Sequence, residues 1–132
     1  MSVAWDPPAD PSLEPFWEGA RDGALRVPAC LDCDRVVLRP RVICPYCHGE
    51  SLEWRTLSGR GTVYAFGVEH RPVGMAVGLE APYVVALVDL EEGGRLVTNI
   101  IGDPDDVLVG MAVEGGFEAL PDGRRVPRVR RT

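Results

Sequence analysis

Lysine is absent. All 14 basic residues of this 132-residue chain are arginine, which excludes chemistry that runs through a lysine Schiff base. Serine is scarce, confined to Ser2, Ser12, Ser51 and Ser58, and histidine is limited to His48 and His70. That is a poor inventory of nucleophiles and bases for an enzyme acting alone. No apolar run approaches the roughly 20 residues of a membrane-spanning helix. The opening Met1-Ser2-Val3-Ala4-Trp5-Asp6 lacks the basic and apolar regions of a signal peptide, so a cytoplasmic protein is expected. The chain is also short of net positive charge: 20 acidic side chains against 14 basic ones give −6. Binding to phosphate backbones needs a clear basic surface, so this balance argues against a nucleic-acid partner. At 45% hydrophobic and 26% charged, the composition is that of a globular domain and excludes a wholly disordered chain.

Cysteine is rare but ordered. Cys30, Cys33, Cys44 and Cys47 form two Cys-x-x-Cys pairs with ten residues between them. A reducing compartment disfavours disulfides. Two such knuckles can aim four thiolates at one tetrahedral ion at about 2.3 Å. One structural zinc per chain is therefore expected, with all four positions of its shell filled. A redox Cys-x-x-Cys and an iron–sulfur cluster are the rivals. The close doubling of the motif weighs against the first, and the lack of a third knuckle or ferredoxin spacing against the second. Arg35, Arg39 and Arg41 lie between the knuckles and are candidates to stabilise the anionic centre; a solvated arginine face is the alternative. His48 follows Cys47 directly, and adjacent residues rarely reach the same tetrahedral ion, so it is not expected to ligate.

The chain divides into a flexible arm over 1–11, a helix plus zinc ribbon over 12–57, a barrel over 58–129 and a basic tail end over 130–132. Asp10-Pro11-Ser12 reads as a capped helix start. Leu13, Phe16, Trp17 and Ala20 then share one apolar face, and Gly23 ends the helix. That face either packs on the domain or docks a partner. Past Ser58-Gly59-Arg60-Gly61 come five segments of strand type: Gly61–Arg71, Tyr83–Leu90, Arg95–Ile101, Met111–Leu120 and Arg124–Val129. Glu92-Gly93-Gly94 and Pro121-Asp122-Gly123 read as hairpin turns, and Asp103–Asp106 as a helical turn or tight loop. Five short strands without a long helix predict a small Greek-key barrel of the OB type. The fold class is mainly β: an N-terminal helix, a four-cysteine zinc ribbon, then a five-stranded OB-fold barrel. Tyr64, Phe66 and Val68 alternate onto one strand face and are expected in the barrel core; a stacking platform is the alternative. The segment from Pro72 to Leu79 is apolar and broken by glycine. Its Val73, Met75, Val77 and Leu79 either fold over the barrel or meet a partner.

Taken in order, Phe16-Trp17, Cys30-x-x-Cys33, Cys44-Pro45-x-Cys47, Trp54, Ser58-Gly59-Arg60-Gly61-Thr62-Val63-Tyr64, Pro82-Tyr83-Val84-Val85-Ala86-Leu87-Val88, Thr98-Asn99-Ile100 and Gly110-Met111-x-Val113 resemble the zinc-ribbon/OB-fold acyl-CoA-associated proteins, long catalogued as a domain of unknown function. The likeness spans residues 12–129. Asp34 and His48 stand where many such proteins carry glycine, and Val129 replaces a C-terminal aromatic. The resemblance implies an accessory subunit for a thiolase-fold enzyme acting on acyl-CoA thioesters. That enzyme is either a thiolase or a lipid-transfer-type aldolase that cleaves steroid side chains as CoA thioesters. Because thiolase-fold enzymes are dimers, a heterotetramer of two plus two is expected, and a MaoC-like hydratase is a further possible partner. In that picture the partner holds the catalytic residues. Leu13, Phe16, Trp17, Val73, Met75, Val77 and Leu79 are then candidate docking residues, with acyl-CoA reached through the complex. Arg124, Arg125 and Arg128, in the arginine-rich end, are candidates to contact CoA phosphates, RNA or an acidic partner surface. The competing function is an OB-fold nucleic-acid-binding protein.

Overall fold

The computed structural model describes residues 11–71, 79–119 and 125–132. A 3₁₀ turn at Pro11–Leu13 runs into helix α1, Glu14–Asp22. Leu13 sits at the N-cap position without a side-chain cap, so Ser12 does not cap this helix; Asp10 lies outside the described residues. Pro15, in the second helical position, has no N–H, so one of the two amides that a capping oxygen would accept from is missing. The helix stops at Gly23, whose φ of 77° is the left-handed geometry of a helix C-terminus. The apolar face turns inward. Phe16 meets Phe117 edge to face at 6.0 Å and Trp17 at 5.1 Å, while Ala20 is buried.

Strands β1 (Arg26–Cys30) and β2 (Leu52–Thr56) pair antiparallel through all five residues, from Arg26 opposite Thr56 to Cys30 opposite Leu52. The two knuckles occupy the chain between them. Five further strands follow: β3 (Arg60–Glu69), β4 (Tyr83–Leu90), β5 (Arg95–Ile101), β6 (Ala112–Ala119) and β7 (Arg125–Arg131). They close into a barrel in the order β3-β4-β5-β7-β6. All its pairings are antiparallel except β5 with β7. This is the five-stranded OB-type barrel expected, with a 3₁₀ turn at Pro104–Asp106 capped by the Asp103 carboxylate. Gly93 and Gly94 turn the β4–β5 hairpin at φ 94° and 85°, angles that glycine adopts without steric cost. The Pro121-Asp122-Gly123 turn lies outside the described residues.

One apolar core crosses the expected boundary at residue 57. Leu25, Val27, Ala29, Val36 and Leu57 from the ribbon side join Val63, Val84, Val88, Ile100, Val113 and Val129 from the barrel in a single cluster. Gly94 makes that contact close. A Cβ there would stand 3.1 Å from both Leu38 Cδ1 and Val36 Cγ2. The ribbon is therefore seated on the β4–β5 hairpin.

Two expectations change. The basic end is not a separate tail, since β7 runs on to Arg131 and closes the barrel between β5 and β6. Tyr64 is not core. The β3–β4 register passes from Val63 opposite Val88 to Ala65 opposite Leu87, so Tyr64 is the extra residue of a bulge. A bulge breaks the two-residue alternation and re-aims the side chain. Tyr64 is 51% exposed, whereas Phe66 and Val68, beyond the bulge, pack against the core as expected.

Candidate metal centre

The two knuckles are built alike. In the first, the Cys30 amide donates to the Arg35 carbonyl at 2.9 Å and the Asp34 amide to the Cys30 carbonyl at 2.8 Å. In the second, the Cys44 amide donates to the Gly49 carbonyl at 2.8 Å and the His48 amide to the Cys44 carbonyl at 2.9 Å. Each turn requires a left-handed residue just after its second cysteine. Asp34 and His48 take that conformation at φ 61° and 63°, without the glycine that relieves it. Gly49 is small for a steric reason: a Cβ would lie 3.3 Å from Cys47 Sγ and 2.5 Å from the Asp32 carboxylate.

These turns bring the four sulfurs within 4.8 Å of one another. Cys30 Sγ lies 3.5 Å from Cys47 Sγ, and Cys33 Sγ lies 3.7 Å from Cys44 Sγ. An ion with four sulfurs at about 2.3 Å demands sulfur–sulfur edges of about 3.8 Å, so the cluster fits a tetrahedral metal. Among the described residues no histidine or carboxylate joins the group. The thiols differ in acidity. Burial works against ionising Cys44, yet the amides of Cys47 and Tyr46 outweigh it and hold the thiol down at about 7. The Gly49 amide favours the Cys47 thiolate, but the neighbouring cysteines and burial push it up to about 12. Four thiolates repel one another unless a cation shares them.

The arginines near the centre are engaged elsewhere or face solvent. The Arg35 guanidinium lies 4.9 Å over the Tyr46 ring, and Arg39 and Arg41 are exposed. Backbone amides are what reach the sulfurs.

The remaining candidates are scattered. Leu13, Phe16 and Trp17 are half-buried along α1. Leu79 is half-buried; Val73, Met75 and Val77 lie outside the described residues, as does Arg124. Arg125 donates to the Phe117 carbonyl at 3.0 Å. Arg128 is buried and lies 3.6 Å from Glu118, whose other oxygen is 3.7 Å from Arg130. Glu118, Arg128 and Arg130, with Gly115, Gly116 and Arg131, line a groove of about 360 Å³.

One feature went unread in the sequence. Asp89 holds Arg95 through contacts of 2.7 and 3.3 Å, and the guanidinium stacks 3.5 Å over Tyr64. The hairpin signal Glu92-Gly93-Gly94 already implies that Asp89 faces Arg95; only the bulge brings Tyr64 beneath them. Exposed Val85 and Val97 lie on neighbouring strands, and exposed Leu108 and Val109 precede β6.

Residues 17–53 match the family model described as the ChsH2 rubredoxin-like zinc ribbon domain, and residues 54–118 match that of the ChsH2 C-terminal OB-fold domain. The chain is 43% identical over 102 residues to a probable enoyl-CoA hydratase alpha subunit of Thermomonospora curvata, covering 74% of this chain and 31% of that one. It thus spans about a third of that relative's length. It is 31% identical to the benzoylsuccinyl-CoA thiolase subunit BbsA of Thauera aromatica, covering 89% of this chain and 73% of that one. A solved chain of the Ltp2-ChsH2(DUF35) aldolase superposes with a TM-score of 0.80 at 33% identity, covering 96% of this chain and 98% of that one.

Proposed function

Because the chain belongs to the ChsH2-type DUF35 family of zinc-ribbon/OB-fold proteins, we propose that it is an accessory subunit of a thiolase-fold enzyme acting on acyl-CoA thioesters. The observation that carries this reading is the end-to-end likeness to a chain of an aldolase assembly. The thiolase subunit BbsA supports the same class of partner. The partner is an aldolase that cleaves a steroid side-chain CoA thioester, or a thiolase, and it holds the catalytic groups. Two copies of this chain join one partner dimer, and a MaoC-like hydratase is a further partner. The ion is zinc, one per chain and structural, because four sulfurs leave no position open for substrate. The complex is cytoplasmic; no described helix is long and apolar enough to cross a membrane.

The chain's own part is to present surface. The segment 73–79 and the helix Leu13–Ala20, whose Leu13, Phe16 and Trp17 are only half-buried, form much of the contact. Both carry apolar residues that so small a domain has little room to bury, and permanent interfaces favour such surface. Co-expression with a thiolase-fold protein encoded beside it, followed by size-exclusion chromatography, tests the assembly. Met75→Asp places a charge in that contact, so the heterotetramer peak should fall while metal content is kept. An unchanged peak would remove segment 73–79 from the interface, and no co-elution of the unmodified chain would end the accessory-subunit reading.

The nucleic-acid reading draws its support from the arginines of β7. Arg125 is committed to a backbone carbonyl, and Arg128 and Arg130 to Glu118. Arg131 is left as the β7 arginine whose side chain has no partner among the described residues. That is too little positive surface for phosphate binding on a chain of charge −6.

A further inference from the structure

We propose that Cys47 is an oxidation site. Hydroperoxides attack its sulfur first, and Cys30 then captures it in a disulfide across the two knuckles, discharging the metal. The four cysteines of the centre are not equally accessible. Cys30 and Cys44 are buried, Cys33 is half-buried, and Cys47 is exposed. Susceptibility to oxidation follows thiolate character and access together. A metal keeps all four sulfurs as thiolates, so access decides among them. Pro45, Tyr46, Cys47 and His48 are all exposed, which leaves the tip of the second knuckle open to a small oxidant.

The second step follows from the distances. Cys47 Sγ has Cys30 Sγ at 3.5 Å, and Cys33 Sγ has Cys44 Sγ at 3.7 Å, each pair joining one knuckle to the other. A disulfide is about 2.05 Å long, so the first pair needs to close by about 1.5 Å, within reach of side-chain rotation. The Cys47 thiolate attacks one oxygen of the peroxide, the O–O bond breaks, and a sulfenic acid forms with release of water or an alcohol. The Cys30 thiolate then attacks the Cys47 sulfur, the S–S bond forms, and hydroxide leaves and takes up a proton. For hydrogen peroxide, two thiolates lose two electrons, two protons are consumed and two waters form. The metal's oxidation state is unchanged. Cys33 and Cys44 remain as a two-sulfur remnant, short of the four ligands of a structural site. Val36 and Leu38 leave the first knuckle to sit against Gly94, so losing the knuckle loosens the ribbon from the barrel.

The inference rests on the centre holding metal and is independent of the accessory-subunit reading. The test uses the full chain, loaded with zinc and assayed for metal before treatment. Hydrogen peroxide is added in steps with a chromogenic zinc chelator present, and a sulfenic-acid trap is included in a parallel series. Peptide mapping by mass spectrometry follows the sulfurs. The trap should label Cys47 first, one zinc should be released for every two thiols lost, and the first disulfide should join Cys30 to Cys47. Thiol reductant with added zinc should restore the starting state. Cys47→His retains a three-cysteine, one-histidine shell and should slow peroxide-driven release at least tenfold. First labelling of Cys33 or Cys44, a disulfide within one knuckle, or release from Cys47→His at the unmodified rate each overturns the proposal. A chain that carries no metal before treatment overturns it together with the metal assignment, whereas the wrong sulfur overturns the oxidation site alone.

Discussion

Replacing His48 with glycine should make the protein more stable and tighten its hold on metal. His48 sits at φ 63°, where a side chain with a Cβ costs roughly 1–2 kcal/mol. Its ring is exposed, so truncation removes little packing. Its amide, which donates to the Cys44 carbonyl at 2.9 Å, is kept in glycine. Against the relief stands the greater freedom of glycine in the unfolded chain, worth about 0.4–1 kcal/mol. The difference is a net gain of about 0.5–1 kcal/mol. Since the knuckle folds around its ion, that gain passes into metal affinity as roughly two- to fivefold tighter binding, at about 1.4 kcal/mol per tenfold. Urea unfolding of the zinc-loaded chain reads the first quantity, and competition with a chelator of known affinity reads the second. His48→Ala is the control. It keeps the strained backbone and removes only the ring, so both readings should stay near those of the unmodified protein. If His48→Gly and His48→Ala behave alike, backbone strain is not the governing term. If His48→Ala itself loses metal, the imidazole ligates and the all-sulfur shell is wrong.

Phe66→Ala should cost about 2–4 kcal/mol, because the ring packs on the core. Tyr64→Ala should cost at most about 1 kcal/mol, the scale of an exposed cation–π contact such as that with Arg95; paired urea curves compare them, and equal losses would contradict the bulge. Gly94→Val should destabilise the chain by about 2 kcal/mol or more, since it adds a left-handed penalty at φ 85° to a clash with Val36 and Leu38; thermal unfolding measures this. Stripping metal with a strong chelator, or Cys33→Ser, should expose residues 24–57 to amide exchange while barrel amides of β4 and β5 stay protected. Uniform loss of protection would mean that the ribbon and barrel unfold as one unit.

Local chemistry was legible along the chain. The doubled Cys-x-x-Cys specifies two tight turns whatever surrounds them, and the structure closes its sulfurs to 3.5 and 3.7 Å. The same holds for Gly93 and Gly94 in the hairpin and for Asp103 capping its 3₁₀ turn. The expected strands Tyr83–Leu90 and Arg95–Ile101 keep their bounds, because alternation and glycine punctuation are set by neighbours. What the chain alone did not disclose depends on partners distant in sequence. Tyr64 leaves the core because β3 slips by one residue against β4, and register belongs to a pair of strands rather than to either one. Arg130 and Arg131 look like a free basic end until the expected last strand runs on to Arg131 beside β5, a parallel pairing made at Ile100–Val129 and Ile101–Arg130. Only then does Arg128 meet Glu118 and become buried. The asymmetry between exposed Cys47 and buried Cys30 is of the same kind. Spacing makes the two knuckles equivalent, and each buries its first cysteine, Cys30 or Cys44; that Cys47 is more open than Cys33 is decided only in the folded chain, since solvent access depends on everything packed around a residue.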